Sequence, residues 1–443
     1  MGLRDYQLRA ISSLRASYAR GRRAPCLVMP CGAGKTVVSA EIIRSGAQLG
    51  TRSLFVADRC TLIDQTVAKL RDAGVTDLRV IQAERDEGNP TALATVASAQ
   101  TLRTPGWQSR LPEADLVIWD ECHAVAARSY DGVLQRYPRA RLLGLSATPC
   151  RGDNKPLSVF DCLVVGATTR QLIDLGNLAP SRVLAPPSEL EDGQIALDPV
   201  AAYRRHADGR RAAVFCVSVK QAQQYVGNFQ SAGVSAEVVT AFTRDRADVL
   251  ARFAAERFSV LCSVGTLTQG WDDPGCGVAI VARKPNHVGL WLQICGRVLR
   301  PHPSKQHGLI IDLGGAVWTH GTPDMDREYS LSGKAISSVT RDQIRHCAEC
   351  GSISLSGPPR CPFCGAEFPI RSRPLPRSVD VGVTEVQGAA PRREYVVSMV
   401  SKRGGWCARC GRGIKSGEPI YWASLARKAR HRQCPAPSVG VSL

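Results

Sequence analysis

Residues 115–123, DLVIWDECH, end an apolar run on two carboxylates, a thiol and an imidazole. Asp120 beside Glu121 suits a divalent cation and an activated water, whereas Cys122 beside His123 suits a thiol nucleophile or a soft metal. A second stretch, MPCGAGKTVV (29–38), weighs between them. Gly32, Ala33 and Gly34 form a small-residue loop whose backbone N–H groups can wrap phosphates, with a helix N-terminus adding positive potential. Lys35 can reach β- and γ-phosphates, and the Thr36 hydroxyl can ligand Mg²⁺. Met29 stands where the full G-x-x-x-x-G-K-[ST] pattern has its first glycine. A phosphate loop needs an acidic metal partner at the end of a neighbouring strand, which is the place of Asp120. Glu121 is then left to position or activate the attacking water. The thiol reading has no orienting third group, and adjacent residues on a turn rarely present both side chains to one substrate. Cys122 reads as a small packing residue, and His123 as a hydrogen-bonding link to neighbouring loops.

The elements that must hold these groups are legible as alternation. Apolar runs at 24–30, 52–57, 91–98, 115–119 and 141–146 predict strands, with amphipathic helices at 35–48 and 58–74 between them. Such alternation argues for a parallel sheet covered on both faces. The Pro-rich stretch GNLAPSRVLAPPSEL marks a boundary near residue 178. The alternation then resumes, with strands predicted at 212–218, 236–240, 259–264, 277–282 and 308–313, and helices at 219–232, 244–257 and 287–298. The expected organisation is an α/β domain over 1–178, a second over 179–335, a Cys-rich module over 340–370, a Pro/Arg-rich linker over 371–398 and a second Cys-rich module over 399–443.

Composition narrows the class. Of 443 residues, 44% are hydrophobic and 22% charged, which is ordinary for a globular protein. No apolar run reaches the ~18–20 residues of a membrane span, and MGLRDYQLRA lacks the apolar core of a signal peptide. A cytoplasmic protein with no membrane partner is expected. The formal net charge of +18 calls for a polyanion. Residues 341–443 stay basic, with 17 Lys and Arg against 7 Asp and Glu, so nucleic acid leads.

Ten of the 17 cysteines are scattered singly through residues 1–340, as buried thiols would be. The other seven come in paired spacing. CAECGSISLSGPPRCPFC is C-x₂-C-x₁₀-C-x₂-C, so Cys347, Cys350, Cys361 and Cys364 suit a tetrahedral zinc ribbon. The stretch 407–434 gives C-x₂-C-x₂₀-H-x₂-C, with Cys407, Cys410, His431 and Cys434 as ligands and IKSGEPIYW read as a hairpin. Two Zn²⁺ ions are expected. They can fix small folds that have too little core of their own, hold nucleic acid through RKARHR (427–432), or contact protein partners.

Taken in order, the motifs resemble those of superfamily 2 helicases of the DEAD/DEAH-like (here DECH) type, across roughly residues 1–315. LRDYQ (3–7), PCGAGKT, ADRCTLIDQ (57–65), SAQTL (98–102), DECH and SAT (146–148) fall in the first domain. VFCVSVKQA (214–222), SVGTLTQGWDDP (263–274) and QICGRVLRP (293–301) fall in the second. The likeness is nearest to RadD-type DNA helicases and phage or restriction-type relatives, carried by LLGLSATPCRGD, GRVLRP and GLIIDLGG. The Cys-rich tail departs from that pattern.

The resemblance implies two tandem RecA-like domains with ATP and Mg²⁺ between them. It implies Arg4 and Gln7 at the adenine, with Gly270 and Asp272 also at the nucleotide. It implies Gln293, Arg297 and Arg300 reaching the γ-phosphate from one helix face, and His123, Ser146 and Thr148 coupling the lobes. Arg59, Gln100, Thr101, Thr266 and Thr268 would follow the strand. The implied activity is ATP-driven movement on single-stranded or forked DNA, 3′ to 5′, in repair, recombination or phage DNA metabolism. RNA is the alternative track, and a non-catalytic zinc-containing adaptor is the rival class. The presence of Lys35, Thr36, Asp120, Glu121, Arg297 and Arg300 argues against the adaptor.

Overall fold

A computed structural model describes residues 2–58, 60–124, 131–151, 155–191, 193–207, 209–268, 270–332, 344–356, 358–368, 396–400, 405–407, 413–416, 418–423 and 428–431. Among the described residues no helix is long and apolar enough to cross a membrane. The chain divides into two compact units, residues 1–369 and 370–443.

The larger unit holds two sheets. The first has strands β1 (Pro25–Val28), β2 (Ser53–Ala57), β3 (Leu78–Gln82), β4 (Arg85–Glu87), β5 (Ala94–Ser98), β6 (Leu116–Trp119), β7 (Arg141–Ser146) and β8 (Cys162–Val165). Their order is β4-β3-β5-β2-β6-β7-β1-β8, parallel except for the β3–β4 pair. Strands β1, β2, β5 and β6 are buried at every position, which is why their sequences are apolar without alternation. Helices α1 (Asp5–Ala19), α2 (Lys35–Ala47) and α3 (Cys60–Asp72) belong to this domain. Because β6, β7 and β1 are parallel neighbours, the three loops that follow them emerge side by side. That placement brings DECH, SAT and the glycine loop to one edge.

The second sheet begins with β9 (Ser181–Leu184), inside the Pro-rich stretch that reads as a boundary. It continues with β10 (Ala212–Phe215), β11 (Ala236–Val239), β12 (Val260–Ser263), β13 (Val278–Val281) and β14 (Gly308–Asp312). The two α/β sheet domains expected from the sequence are therefore present. The order β11-β12-β10-β13-β14-β9 is then extended by two strands of the first Cys-rich module, β15 (Ile344–His346) and β16 (Ser352–Leu355). Strand β16 pairs antiparallel with β9, matching Ser352 to Leu184 and Ile353 to Val183. The module is thus sheet-continuous with the second domain. Arg182 fastens it further, donating from Nε to Ser352 Oγ at 3.0 Å and lying 5.7 Å from the Phe363 ring centroid.

Residues 321–332 return from the second domain to the first. Leu157 N donates to Leu331 O at 2.8 Å, and Arg170 pairs with Asp324. Tyr329 and Leu331 pack against the core around Cys26, Trp119 and Phe160. Arg327 holds the strap's backbone by donating to the carbonyls of His320, Thr322 and Met325 at 2.8, 2.7 and 2.7 Å.

In the smaller unit, β17 (Val396–Val400), β20 (Pro419–Ala423) and β21 (Lys428–His431) form one antiparallel sheet. Strands β18 (Gly405–Trp406) and β19 (Gly413–Ile414) form another. The hairpin read in IKSGEPIYW is corrected here. A turn exists, with Glu418 N donating to Lys415 O at 3.2 Å, but its flanking strands join different sheets.

Candidate active site between two sheets

The glycine loop is built by its backbone. Gly32 and Gly34 have φ of 81° and 79°, the left-handed region that a side chain disfavours. At Gly34 a Cβ would also lie 2.5 Å from Gln7 Nε2. Gln7 is held on two sides: its Nε2 donates to Ala33 O at 3.2 Å, and its Oε1 accepts from Arg4 N at 2.9 Å. Tyr6 adds a hydroxyl donated to the same Ala33 carbonyl at 3.0 Å. Tyr6 escaped the sequence reading, although it sits inside LRDYQ. Lys35 opens α2 and donates from Nζ to Met29 O at 3.2 Å, so its ammonium folds back over the loop.

Asp120, at the end of β6, is buried, and its carboxyl is pushed up to about 7. Burial is the main cause, Glu121 adds repulsion and Lys35 opposes both. A buried carboxyl with a lysine in electrostatic reach and a second carboxylate beside it is short of positive charge. The oxygen donors of Asp120 and Thr36 fit a hard divalent cation such as Mg²⁺. Glu121 is a non-glycine residue at φ 48°, and its Oε2 is buried without a hydrogen-bond partner. Strain and an orphaned oxygen together mark a site kept for function.

His123 Nδ1 lies 3.3 Å from Ser146 Oγ and 3.5 Å from Glu121 Oε2. Ser146 Oγ also accepts from Thr148 N at 3.1 Å. Cys122 is buried with its Sγ 3.4 Å from Cys26 Sγ, and burial pushes its thiol well up, away from the thiolate a nucleophile needs. Cys122→Ala is therefore expected to cost about 1 kcal/mol of stability, as loss of a small buried group does, and to leave turnover near normal. Collapse of turnover at unchanged melting temperature would restore the thiol reading.

The second domain closes the site with the helix Val288–Val298. Gln293 and Arg297 are buried. Arg297 donates to Trp271 O and places NH2 4.0 Å from Cys31 Sγ in the glycine loop. Gly296 permits this contact, since a Cβ there would fall 2.5 Å from the Cys31 Cβ. Arg300 does not share the helix face expected of it, since the helix ends at Val298; it passes close to Gly32, whose added Cβ would lie 3.4 Å from Arg300 Cγ. Arg300 pairs with Asp272, and burial pushes its guanidinium down, so an anion in the cleft would relieve it. Gly270 accepts from Gln65 Nε2 at 3.1 Å, a second bridge between the domains. Loop and arginine helix thus meet across one cleft.

The other expected site residues divide. Arg59 lies outside the described residues. Gln100 is exposed. Thr101, Thr266 and Thr268 are buried with engaged hydroxyls. Thr101 accepts from Ala83 N at 2.7 Å, Thr266 donates to Val239 O at 3.1 Å and Thr268 to Gly265 O at 2.9 Å.

The four sulfurs of Cys347, Cys350, Cys361 and Cys364 lie within 4.8 Å of one another. Two cross pairs, Cys347–Cys364 and Cys350–Cys361, are each 3.7 Å apart. Four thiolates about 2.3 Å from a central zinc stand about 3.8 Å apart, so the cluster has the size of a zinc tetrahedron. The knuckles are built alike. Gly351 N donates to Cys347 O and Gly365 N to Cys361 O, both at 2.9 Å and both with positive φ. Of the second set, Cys407 is buried, Cys410 and Cys434 lie outside the described residues, and His431 is described only as part of β21.

Residues 1–151 match the family described as type III restriction enzyme, res subunit, and residues 196–302 match the helicase conserved C-terminal domain. The chain belongs to the superfamily 2 helicases related to restriction-type helicases. The matched domains are those of an ATP-hydrolysing helicase. A 51.5 kDa protein of a Lactococcus phage is 29% identical over 371 residues, covering 78% of each chain. The putative ATP-dependent helicase IRC3 of Saccharomyces cerevisiae is 27% identical over 71% of this chain, which spans about half (52%) of that relative. Among solved structures, a fragment of a putative HsdR subunit of a type I restriction enzyme from Vibrio vulnificus is similar with a TM-score of 0.56 and 25% identity. The match covers 75% of this helicase and 67% of that chain.

Proposed function

We propose that this helicase hydrolyses ATP in the cleft between its two sheets while moving 3′ to 5′ on single-stranded DNA. The reading is supported most by one observation: Arg297 and Arg300 of the second domain approach Cys31 and Gly32 of the glycine loop. The nucleotide's phosphates then lie on the N–H groups of residues 32–34 and against Lys35. Gln7, with one amide hydrogen and one oxygen lone pair left over, pairs with the adenine edge beside Arg4. Thr36 and Asp120 hold Mg²⁺, which when bound neutralises phosphate charge and fixes the triphosphate. Glu121 takes the proton of the attacking water, beside His123, whose Nδ1 lies 3.5 Å from Glu121 Oε2 and 3.3 Å from Ser146 Oγ. Gln293 orients from the arginine helix, Arg297 and Arg300 stabilise charge on the transferred phosphoryl group, and Gly270 and Asp272 shape the far wall. Loss of that charge releases the arginines, and Ser146 and Thr148 pass the change between lobes.

The strand track takes in Arg59, Gln100, Thr101, Thr266 and Thr268. The buried threonine hydroxyls are spent on the backbone around them, so phosphate contact falls to backbone N–H groups and neighbouring cations. The cationic surplus suits either polyanion, and the DNA-acting names among the relatives, such as a DNA 3′–5′ translocase of Sulfurisphaera tokodaii matched over 34% of the chain, favour DNA over RNA. A cytoplasmic role in repair, recombination or phage DNA metabolism fits that substrate. Strand displacement from 3′-tailed and 5′-tailed duplexes, in DNA and in RNA, tests this. Displacement from the 3′-tailed DNA alone is expected, and displacement only from a 5′ tail or only from RNA would refute it.

The Cys347–Cys364 cluster binds Zn²⁺, and the Cys407, Cys410, His431, Cys434 set binds a second. Metal analysis of the full chain should find two zinc ions. Because β16 continues the second sheet at β9, Cys361→Ser should remove one zinc and lower the melting temperature by several degrees, since structural zinc contributes directly to folding. Stoichiometry near one would remove the second site, and an unchanged melting temperature would separate the ribbon from the sheet.

A further inference from the structure

The helix that carries Gln293 and Arg297 starts on an unusual residue. Its N-cap is His287, with φ −148° and ψ 153°, and the Nδ1 of the ring accepts from Leu290 N at 3.2 Å. Caps are ordinarily short oxygen side chains, which accept at any physiological pH. An imidazole accepts at Nδ1 only when neutral, with its proton on Nε2. This cap also lies at the seam between the domains. Gly289 sits in the first turn, where a Cβ would lie 3.0 Å from Thr148 Oγ1 and 3.1 Å from His287 Nδ1. Thr148 belongs to the SAT loop after β7, and its hydroxyl is buried without a hydrogen-bond partner.

We propose that His287 is a positioning residue for ATP hydrolysis: as a neutral imidazole it caps the arginine helix against the SAT loop, and its protonation releases that cap. The inference rests on the ATPase reading above and adds a proton-controlled element to it. The groups facing His287 are His123 from the DECH segment, His320 at the end of the helix Ala316–His320, and Arg283 after β13. Partial burial is the main opposition to a positive charge on the ring, and all three groups oppose it further, so the ring titrates below its ordinary value. Nothing acidic is among them. His320 is itself engaged at Nε2 with Pro285 O at 2.9 Å, and burial lowers it too.

The sign follows from linkage. A histidine depressed in the folded chain binds fewer protons than in the unfolded one. Its contribution is complete above the unfolded value near 6.5 and is lost as pH falls through that value towards the folded one. When protonated, the ring loses its acceptor, and the helix start repels a cation besides.

Three forms of the full chain decide the matter: wild type, His287→Ser and His287→Ala, each measured for ATP turnover and melting temperature from pH 5.5 to 8.5. Serine restores a cap that cannot titrate, so His287→Ser should keep turnover within about twofold of wild type at pH 8. Alanine should lower turnover about fivefold at pH 8, the effect of a lost cap transmitted to the arginines. The melting temperature of wild type should begin to fall faster than that of His287→Ser below pH 6.5, and their turnover ratio should change about fivefold or more as pH falls further, through the depressed folded value. Coincident acid limbs for wild type and serine, or alanine equal to serine at pH 8, would overturn the assignment. If no form hydrolyses ATP at any pH, the helicase reading fails, and coincident melting profiles of wild type and serine would separately refute the cap.

Discussion

Glu121→Gln should bind ATP as tightly as wild type and turn it over about 10²–10⁴-fold more slowly, the range a positioned general base supplies. Glutamine keeps the shape and the left-handed backbone at φ 48° and removes only the charge. The neighbouring contacts argue that nothing else is lost. Glu121 Oε2 has no hydrogen-bond partner, its N–H is already satisfied by Asp120 Oδ1 at 2.9 Å, and His123 keeps Ser146 as a partner. Quenched-flow phosphate release, paired with equilibrium binding of a labelled nucleotide, reads both quantities. Turnover within threefold of wild type would remove Glu121 from the chemistry. Loss of binding as well as turnover would assign it to the metal instead.

Arg300→Ala should depress turnover by about 10³-fold or more, as loss of an arginine finger does. Arg300 is the better probe of the two arginines. Arg297 is buried against Trp271 O and Cys31, so its removal also leaves a hole between the lobes. Arg300 has one acidic partner, Asp272, itself half exposed, and otherwise faces the glycine loop. Arg300→Lys separates charge from geometry: a lysine keeps one charge but loses the planar fork, so partial recovery at most is expected. Both variants should keep the wild-type melting temperature within a few degrees. Turnover of Arg300→Ala near that of wild type would mean the two lobes meet without Arg300 serving the phosphate.

The edge where the candidate residues gather was legible because those residues are local. A glycine loop and DECH each end a buried strand, and parallel pairing of β1, β7 and β6 brings them together whatever lies between. Gln293 and Arg297 share a helix face by spacing alone. What was hidden depends on pairing between distant segments. SRVL, between Pro180 and Pro186, reads as linker, yet it becomes β9 because β14 and β16 supply partners on both sides. Nothing in residues 347–364 announces that the ribbon continues that sheet. The strap 321–332 has no periodicity, because its contacts are backbone carbonyls around Arg327 and a few side chains set against the other domain. The threonines expected along the strand turned out to be buried, since Thr101 and Thr266 stitch Ala83 and Val239 to their neighbours. A hydroxyl in a sequence does not disclose which way it faces. Gly296 is the opposite case: its reason is a contact with Cys31 in the other domain, and only the structure supplies it.

The central claim is that a cleft formed by two domains of one chain hydrolyses ATP when a nucleic-acid strand is bound. The most direct measurement is steady-state phosphate release from ATP and Mg²⁺ by the full chain, with and without single-stranded DNA. The account predicts clear release, faster with the strand than without it. Stimulation should weaken steeply with added salt, as counterion release requires. Absence of release above background with DNA and RNA alike, from a folded chain that still binds ATP, would contradict it.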